Sequence, residues 1–197
     1  MSEQLRIWAG LNGFVSAASL MALALFFVLA TPFGAERRQW SWLGPVNDWL
    51  SVLGVAPWIV AMLLLAVRVR APSWFWVATF VVAAGVVVMA VVTLLMLAGR
   101  ADLSQQAAVA LPVTVAAFAW LAVAAYFAGR AAVVPSWVEV LAYALAGALL
   151  IGAAIVGVAF ALPQASRMPL FVVGGVLGGL AWLGFPAWWL AVASTVR

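Results

Sequence analysis

The sequence predicts an all-α polytopic membrane protein, a single bundle of six transmembrane helices. Three observations carry that prediction. Of 197 residues, 69% are hydrophobic and 7% charged, and mean hydropathy is +1.24. A soluble domain is about half apolar and a quarter charged, so no water-soluble fold of this length has room inside for so much apolar side chain. The apolar residues fall in six runs, and a helix needs roughly 20 such residues to cross a bilayer. Within each run the apolar character is continuous, whereas the strands of a membrane β-barrel alternate in polarity over about ten residues.

The first run, about 11–30, follows Arg6 and precedes Ala30-Thr31-Pro32. It is longer than the roughly 7–15 residues of a signal-peptide core, so it is expected to be a retained helix. Thr31–Asp48 is the longest connection and leads to the second run, about 49–67. The third, about 74–98, opens at Ser73-Trp74; the fourth covers about 107–128. The fifth, about 137–162, opens at Ser136-Trp137, and the sixth covers about 170–193. Ala71-Pro72-Ser73-Trp74 followed by Gly85 resembles Val134-Pro135-Ser136-Trp137 followed by Gly147. This faint repeat fits a duplicated helical hairpin. It also fits convergence, because proline suits a helix's first turn and tryptophan the interface. Arg68–Ser73, Gly99–Gln106, Gly129–Ser136 and Pro163–Pro169 are turns, so one membrane domain is expected to occupy residues 1–197.

The missing residue types exclude much chemistry. There is no His and no Cys, which removes the usual metal ligands, haem ligation, disulfides, a Cys nucleophile and a His base. All nine basic residues are Arg; without Lys there is no Schiff base for retinal or pyridoxal and no Walker-type phosphate loop. No metal and no cofactor is expected. The nine arginines stand singly or in pairs between apolar runs, as membrane-flanking anchors do, and a nucleic-acid footprint is not expected.

With six spans both termini share one side, together with Arg6, Arg68, Arg70, Arg130 and Arg197; Arg37, Arg38, Arg100 and Arg167 fall on the other. The bias of five against four is expected to place both termini in the cytoplasm, and abundant Ala, Gly, Val, Arg and Trp without Lys suggests a GC-rich bacterial genome.

Several residues stand out as candidates. Gly174, Gly175, Gly178 and Gly179 form two overlapping small-x-x-x-small pairs in the sixth run, suited to close helix packing within the bundle or against a partner. Gly44-Pro45-Val46-Asn47-Asp48 is the most distinctive polar stretch. Asn47 suits an N-cap and Asp48 the positive end of the helix dipole. Alternatively, Asn47 and Asp48 join Gln105, Gln106, Arg37, Arg38 and Arg100 in a polar mouth for a ligand or lipid headgroup. Glu139, with Tyr143 one turn on, is an intramembrane carboxylate within reach of water or Arg130. Asn12, Ser16 and Ser19 share one face and are expected to bond to a neighbouring helix. Trp8, Trp74, Trp76, Trp137, Trp188 and Trp189 are expected in one interfacial belt, and Trp40, Trp42 and Trp49 in the other. Trp58, Trp120 and Trp182 lie deeper, as packing or as the lining of an apolar cavity.

Leu5-Arg6-Ile7-Trp8, the Gly44–Asp48 stretch, Gln105-Gln106 and Gly184-Phe185-Pro186-Ala187-Trp188 together resemble six-helix membrane proteins of actinobacteria and other GC-rich bacteria. The resemblance covers nearly the whole chain and implies six spans and no established activity.

Function is then weighed between two classes. The first is a non-catalytic accessory or helix-packing subunit, whose partners are the lipid bilayer and another membrane protein or a second copy. The second is a transporter or channel for a small or lipid-like solute, entered by the polar mouth on the non-cytoplasmic side. An intramembrane lipid-modifying enzyme ranks below both. It needs an acid–base pair, yet Glu139 is separated from Asp48 and Asp102 by a core of about 30 Å, and Asp48 can pair with Asp102 only if the second and fourth spans are neighbours.

Overall fold

The computed structural model describes residues 2–31 and 37–196; Glu36 and Arg197 of the charge balance lie outside them. Its elements are α1 (Ser2–Leu25) ending in a π turn (Phe26–Ala30), a 3-10 turn (Arg38–Trp40), α2 (Leu43–Leu53), α3 (Val55–Arg68), α4 (Ser73–Leu97), α5 (Leu103–Arg130), α6 (Ser136–Ala161) and α7 (Gln164–Thr195). Among the described residues there is no strand. α2 and α3 make one span, giving six helices long and apolar enough to cross a membrane. The chain is a multi-pass membrane protein.

Several helices outrun their apolar segments. α1 starts at Ser2 rather than near 11, and α7 covers Gln164–Thr195 rather than 170–193. Hydropathy marks only the part at hydrocarbon depth, whereas the hydrogen-bonded helix continues into the headgroup zone. The second span also begins earlier than expected. Gly44-Pro45 lies in the first turn of α2, where proline's missing N–H is no loss. The helical ladder is interrupted between α2 and α3 at Gly54, because Pro57 has no N–H to offer the Leu53 carbonyl. The ladder continues on either side, with Gly54 N donating to Leu50 O at 2.9 Å and Trp58 N to Gly54 O at 3.0 Å.

The spans pack as a closed ring in chain order. α1 lies on α2 and α3, these on α4, α4 on α5, α5 on α6, α6 on α7, and α7 returns to α1. Glycines set the closest approaches. At the α1–α7 seam a Cβ on Gly13 would meet the Leu190 side chain at 2.7 Å, and one on Gly10 would lie 3.7 Å from Ala193 Cβ. At the α6–α7 crossing a Cβ on Gly152 would meet Gly174 O at 2.8 Å, and one on Gly174 would meet Gly152 O at 2.7 Å.

Aromatic rings fill the centre. Phe185 of α7 touches Trp58 of α3 at 5.0 Å, Phe118 of α5 at 5.6 Å and Trp182 at 5.7 Å between centroids. Trp120 stacks on Phe75 at 5.7 Å. Its indole N–H donates to Thr79 Oγ1 at 2.9 Å, and that hydroxyl donates to Phe75 O at 2.8 Å. Trp58, Trp120 and Trp182 therefore serve as packing. Trp188 and Trp189 depart from the expected belt: both are fully buried inside the ring. Trp188 is fixed there by its N–H to Val138 O at 3.1 Å. Trp74 and Trp137 do face outward, as belt residues should.

The α3–α4 and α5–α6 turns share one construction. Ala71 N donates to Ala66 O at 3.0 Å and Val133 N to Ala128 O at 2.9 Å. Pro72 and Pro135 then precede the next helix in extended conformation. The repeat seen in the sequence thus extends to the backbone of the turns. It does not extend to its glycines, since Gly85 packs on Val113 and Gly147 has nothing within 4 Å. Both turns place a non-glycine in the left-handed region, Arg70 at φ 51° and Ala132 at φ 52°, where L-residues are disfavoured by roughly 1–2 kcal/mol. Ala132→Gly should therefore stabilise the protein by about 1 kcal/mol. Thermal unfolding in detergent checks this, and a lower Tm for the variant would contradict it.

Candidate functional site

The polar residues of the sequence separate into three groups. The first joins α1 to α2. Ser19 donates to Asn47 Oδ1 at 2.8 Å and sits 3.0 Å from Ser51 Oγ, which itself donates to Asn47 O at 2.9 Å. Asn47 Nδ2 lies 3.4 Å from Asp48 Oδ1. Deeper on the same face of α1, Ser16 donates to Asn12 Oδ1 at 3.4 Å. Asn12 is fully buried and its Nδ2 has no hydrogen-bond partner among the described residues. Of the α1 face predicted to bond to a neighbour, Ser19 does so, whereas Ser16 bonds to Asn12 within α1 itself. The capping role expected of Asn47 and Asp48 is corrected. α2 begins at Leu43, so both residues lie in its second turn, and Asn47 is spent on α1.

The second group is at the start of α5. Asp102 is the N-cap, its carboxylate accepting from Gln105 N at 2.8 Å and from Ser104 Oγ at 2.6 Å. Gln105 returns the bond, its Oε1 accepting from Asp102 N at 3.0 Å, which completes a capping box. Gln106 reaches across instead, donating to Thr93 of α4 at 3.0 Å. Gln105 and Gln106 are therefore engaged within α5 and with α4. Arg37, Arg38 and Arg100 are exposed on the same side of the bundle. Arg167 caps α6, donating from Nε to Leu162 O at 2.7 Å.

The Ser104 hydroxyl, and after it the Gln105 amide, hold the Asp102 carboxyl below its usual value of 3.8. A depressed carboxyl contributes stability above the unfolded pKa and loses it as pH falls through the folded one. Asp102→Ala should thus lower Tm at neutral pH, and the gap from wild type should narrow as pH drops below 3.8. Thermal melts across that range check it, and a gap that does not change with pH would contradict it.

The third group is at the opposite, terminal-bearing end. Tyr143 donates to Glu139 Oε1 at 2.6 Å, and Arg130 donates to Tyr126 OH at 2.8 Å. Glu139 is thus partnered by Tyr143 and not by Arg130. Its carboxylate lies against Gly129, where any Cβ would collide with it. Nothing in the composition marks that glycine.

Of the four candidate glycines in α7, Gly174 is buried at the α6 crossing, and the Gly178 backbone N lies 3.2 Å from where a Gly152 Cβ would sit. Gly175 and Gly179 are exposed, with nothing within 4 Å of a built Cβ. The pattern in the sequence is symmetrical, but only Gly174 is buried; Gly178 is half-buried with nothing within 4 Å of its own built Cβ, and Gly175 and Gly179 face outward. Gly152, the partner of Gly174, was not among the candidates; its place on the same face as α6's buried Leu145 and Leu149 could have shown it.

Among the described residues no group of three or more His, Cys, Asp or Glu could hold a metal ion. The chain matches no known protein family, no curated protein and no solved structure.

Proposed function

We propose that the chain is a non-catalytic accessory subunit of a bacterial cytoplasmic membrane, with both termini cytoplasmic, that holds a second membrane protein against the outer face of α7. The observation that supports this reading is the outward pair Gly175 and Gly179, one turn apart and uncovered. Exposed Val172, Val176 and Leu183 surround it. Such a face allows another helix backbone to approach closely, which is how helices associate in lipid. The aromatic filling of the ring centre directs function to the outside of the bundle. The resemblance to six-helix proteins of GC-rich bacteria agrees with the bacterial setting.

Native mass spectrometry after gentle extraction from the host membrane tests it. A reproducible partner chain is expected with wild type, and its loss with Gly175→Leu/Gly179→Leu at unchanged Tm. Retention of the partner by that variant, or a lone chain in wild type, would overturn the reading.

A second reading, passage of a small or lipid-like solute, is supported by the polar contacts running from Asp48 through Asn47 and Ser19 toward the buried, unpartnered Asn12 amide. Under it, Asp48→Asn abolishes flux in a folded protein, and unchanged flux removes that role for the carboxylate.

A further inference from the structure

We propose that a groove on the outer side of α5, at the terminal-bearing end, binds one phospholipid with a primary-ammonium headgroup. Its acyl chain lies in the groove, its phosphate on Arg130 and its ammonium on Glu139. The groove has a volume of about 380 Å³ and is lined by Trp74 of α4, Ala122, Val123, Tyr126 and Phe127 of α5, and Tyr143 of α6. Apart from two tyrosine hydroxyls these side chains offer only apolar surface and the Trp74 indole.

Those hydroxyls each hold one charge at the rim. Arg130 donates to Tyr126 OH at 2.8 Å, with its guanidinium carbon 5.6 Å from the Tyr126 ring centroid. Tyr143 donates to Glu139 at 2.6 Å. Gly129 leaves space for the Glu139 carboxylate to lie on α5, one residue from Arg130. Each charge is thus anchored by its own tyrosine of the groove, Arg130 by Tyr126 and Glu139 by Tyr143.

A rim with one fixed cation and one fixed carboxylate complements a zwitterion. A phosphatidylglycerol headgroup satisfies Arg130 but sets its phosphate beside Glu139 with nothing to offset the repulsion. Phosphatidylcholine carries the second charge but has no N–H to donate to the carboxylate. A primary ammonium has three. Trp74 and the two tyrosines sit near helix ends, where amphipathic rings meet headgroups, so phosphate and ammonium are at the depth of the rim and the chain at the depth of the groove.

The test exposes purified protein to vesicles holding equal parts phosphatidylethanolamine, phosphatidylglycerol and phosphatidylcholine, then counts retained lipids by native mass spectrometry. Wild type should keep phosphatidylethanolamine over either other lipid by roughly threefold, the scale of one exposed ion pair. Glu139→Gln should erase its advantage over phosphatidylglycerol, and Arg130→Gln should reduce retention of all three. Ala122→Trp, which fills the groove and leaves both charges in place, should reduce retention as well. Equal retention by wild type, a preference for phosphatidylglycerol, or a phosphatidylethanolamine preference that survives Glu139→Gln would overturn the proposal. None of these readouts depends on a protein partner, so they are separate from the accessory-subunit reading.

Discussion

Gly174→Leu should be the most damaging single substitution in the protein. The Cβ alone would meet Gly152 O and Val156 Cγ2, each at 2.7 Å. One of these atoms is helix backbone and cannot rotate away, so α6 and α7 must separate. They share the most extensive helix contact of the bundle. Overpacking a well-packed interior costs about 1–3 kcal/mol and sometimes more, and here the obstruction arises before the rest of the leucine is placed. The variant should lose at least about 3 kcal/mol. Gly179→Leu is the internal control, five residues along the same helix with open space at its Cβ. Its stability should change by no more than surface substitutions do, about 0.5 kcal/mol. Equal effects from the two variants would show that the α6–α7 crossing is placed wrongly.

Phe185→Ala should follow closely. The ring is 2% exposed and touches Trp58, Phe118, Trp182 and Trp189. In a membrane the unfolded chain also has apolar surroundings, so the loss comes from dispersion contacts and the cavity left behind rather than from transfer out of water. That places the cost near the lower end of the Phe→Ala range, about 3 kcal/mol. Trp189→Phe sharpens the test. Trp189 is equally central, but its indole N–H has no partner among the described residues. Replacing it keeps a ring and removes an unpaired buried donor, so the cost should stay under about 1 kcal/mol. Unfolding in mixed micelles measures both, and a larger loss for Trp189→Phe than for Phe185→Ala would contradict the aromatic centre.

The span count and the class were legible because lipid imposes one requirement on every residue of a span: apolarity over a fixed length. Partner choice within the bundle carries no such mark. Gly174 and Gly175 are neighbours in sequence, and only the rotation of α7 about its axis decides which is buried. Trp188 and Trp189 lie near a chain end, where tryptophan usually marks the interface, yet α7 turns them into the ring. Gly44-Pro45 has the composition of a loop and opens a helix, since proline is tolerated in a first turn. That shift moved Asn47 out of the cap and onto Ser19. The bonds of the two glutamines were hidden for a related reason: Gln105 completes its own helix cap, and Gln106 reaches Thr93 of the preceding helix. Short-range satisfaction of hydrogen bonds outcompetes gathering over distance when the surroundings are apolar.

The closed ring is the claim on which the rest depends, and its seam joins the first span to the last. The natural chain contains no cysteine, so a Gly10→Cys/Ala193→Cys variant has no background thiols. A Cβ at position 10 would lie 3.7 Å from Ala193 Cβ, close to the roughly 3.8 Å typical across a disulfide. Mild oxidation in the membrane should convert the variant quantitatively to an internally crosslinked monomer, seen as a reducible mobility shift. Failure to crosslink, or crosslinks only between two chains, would contradict the ring.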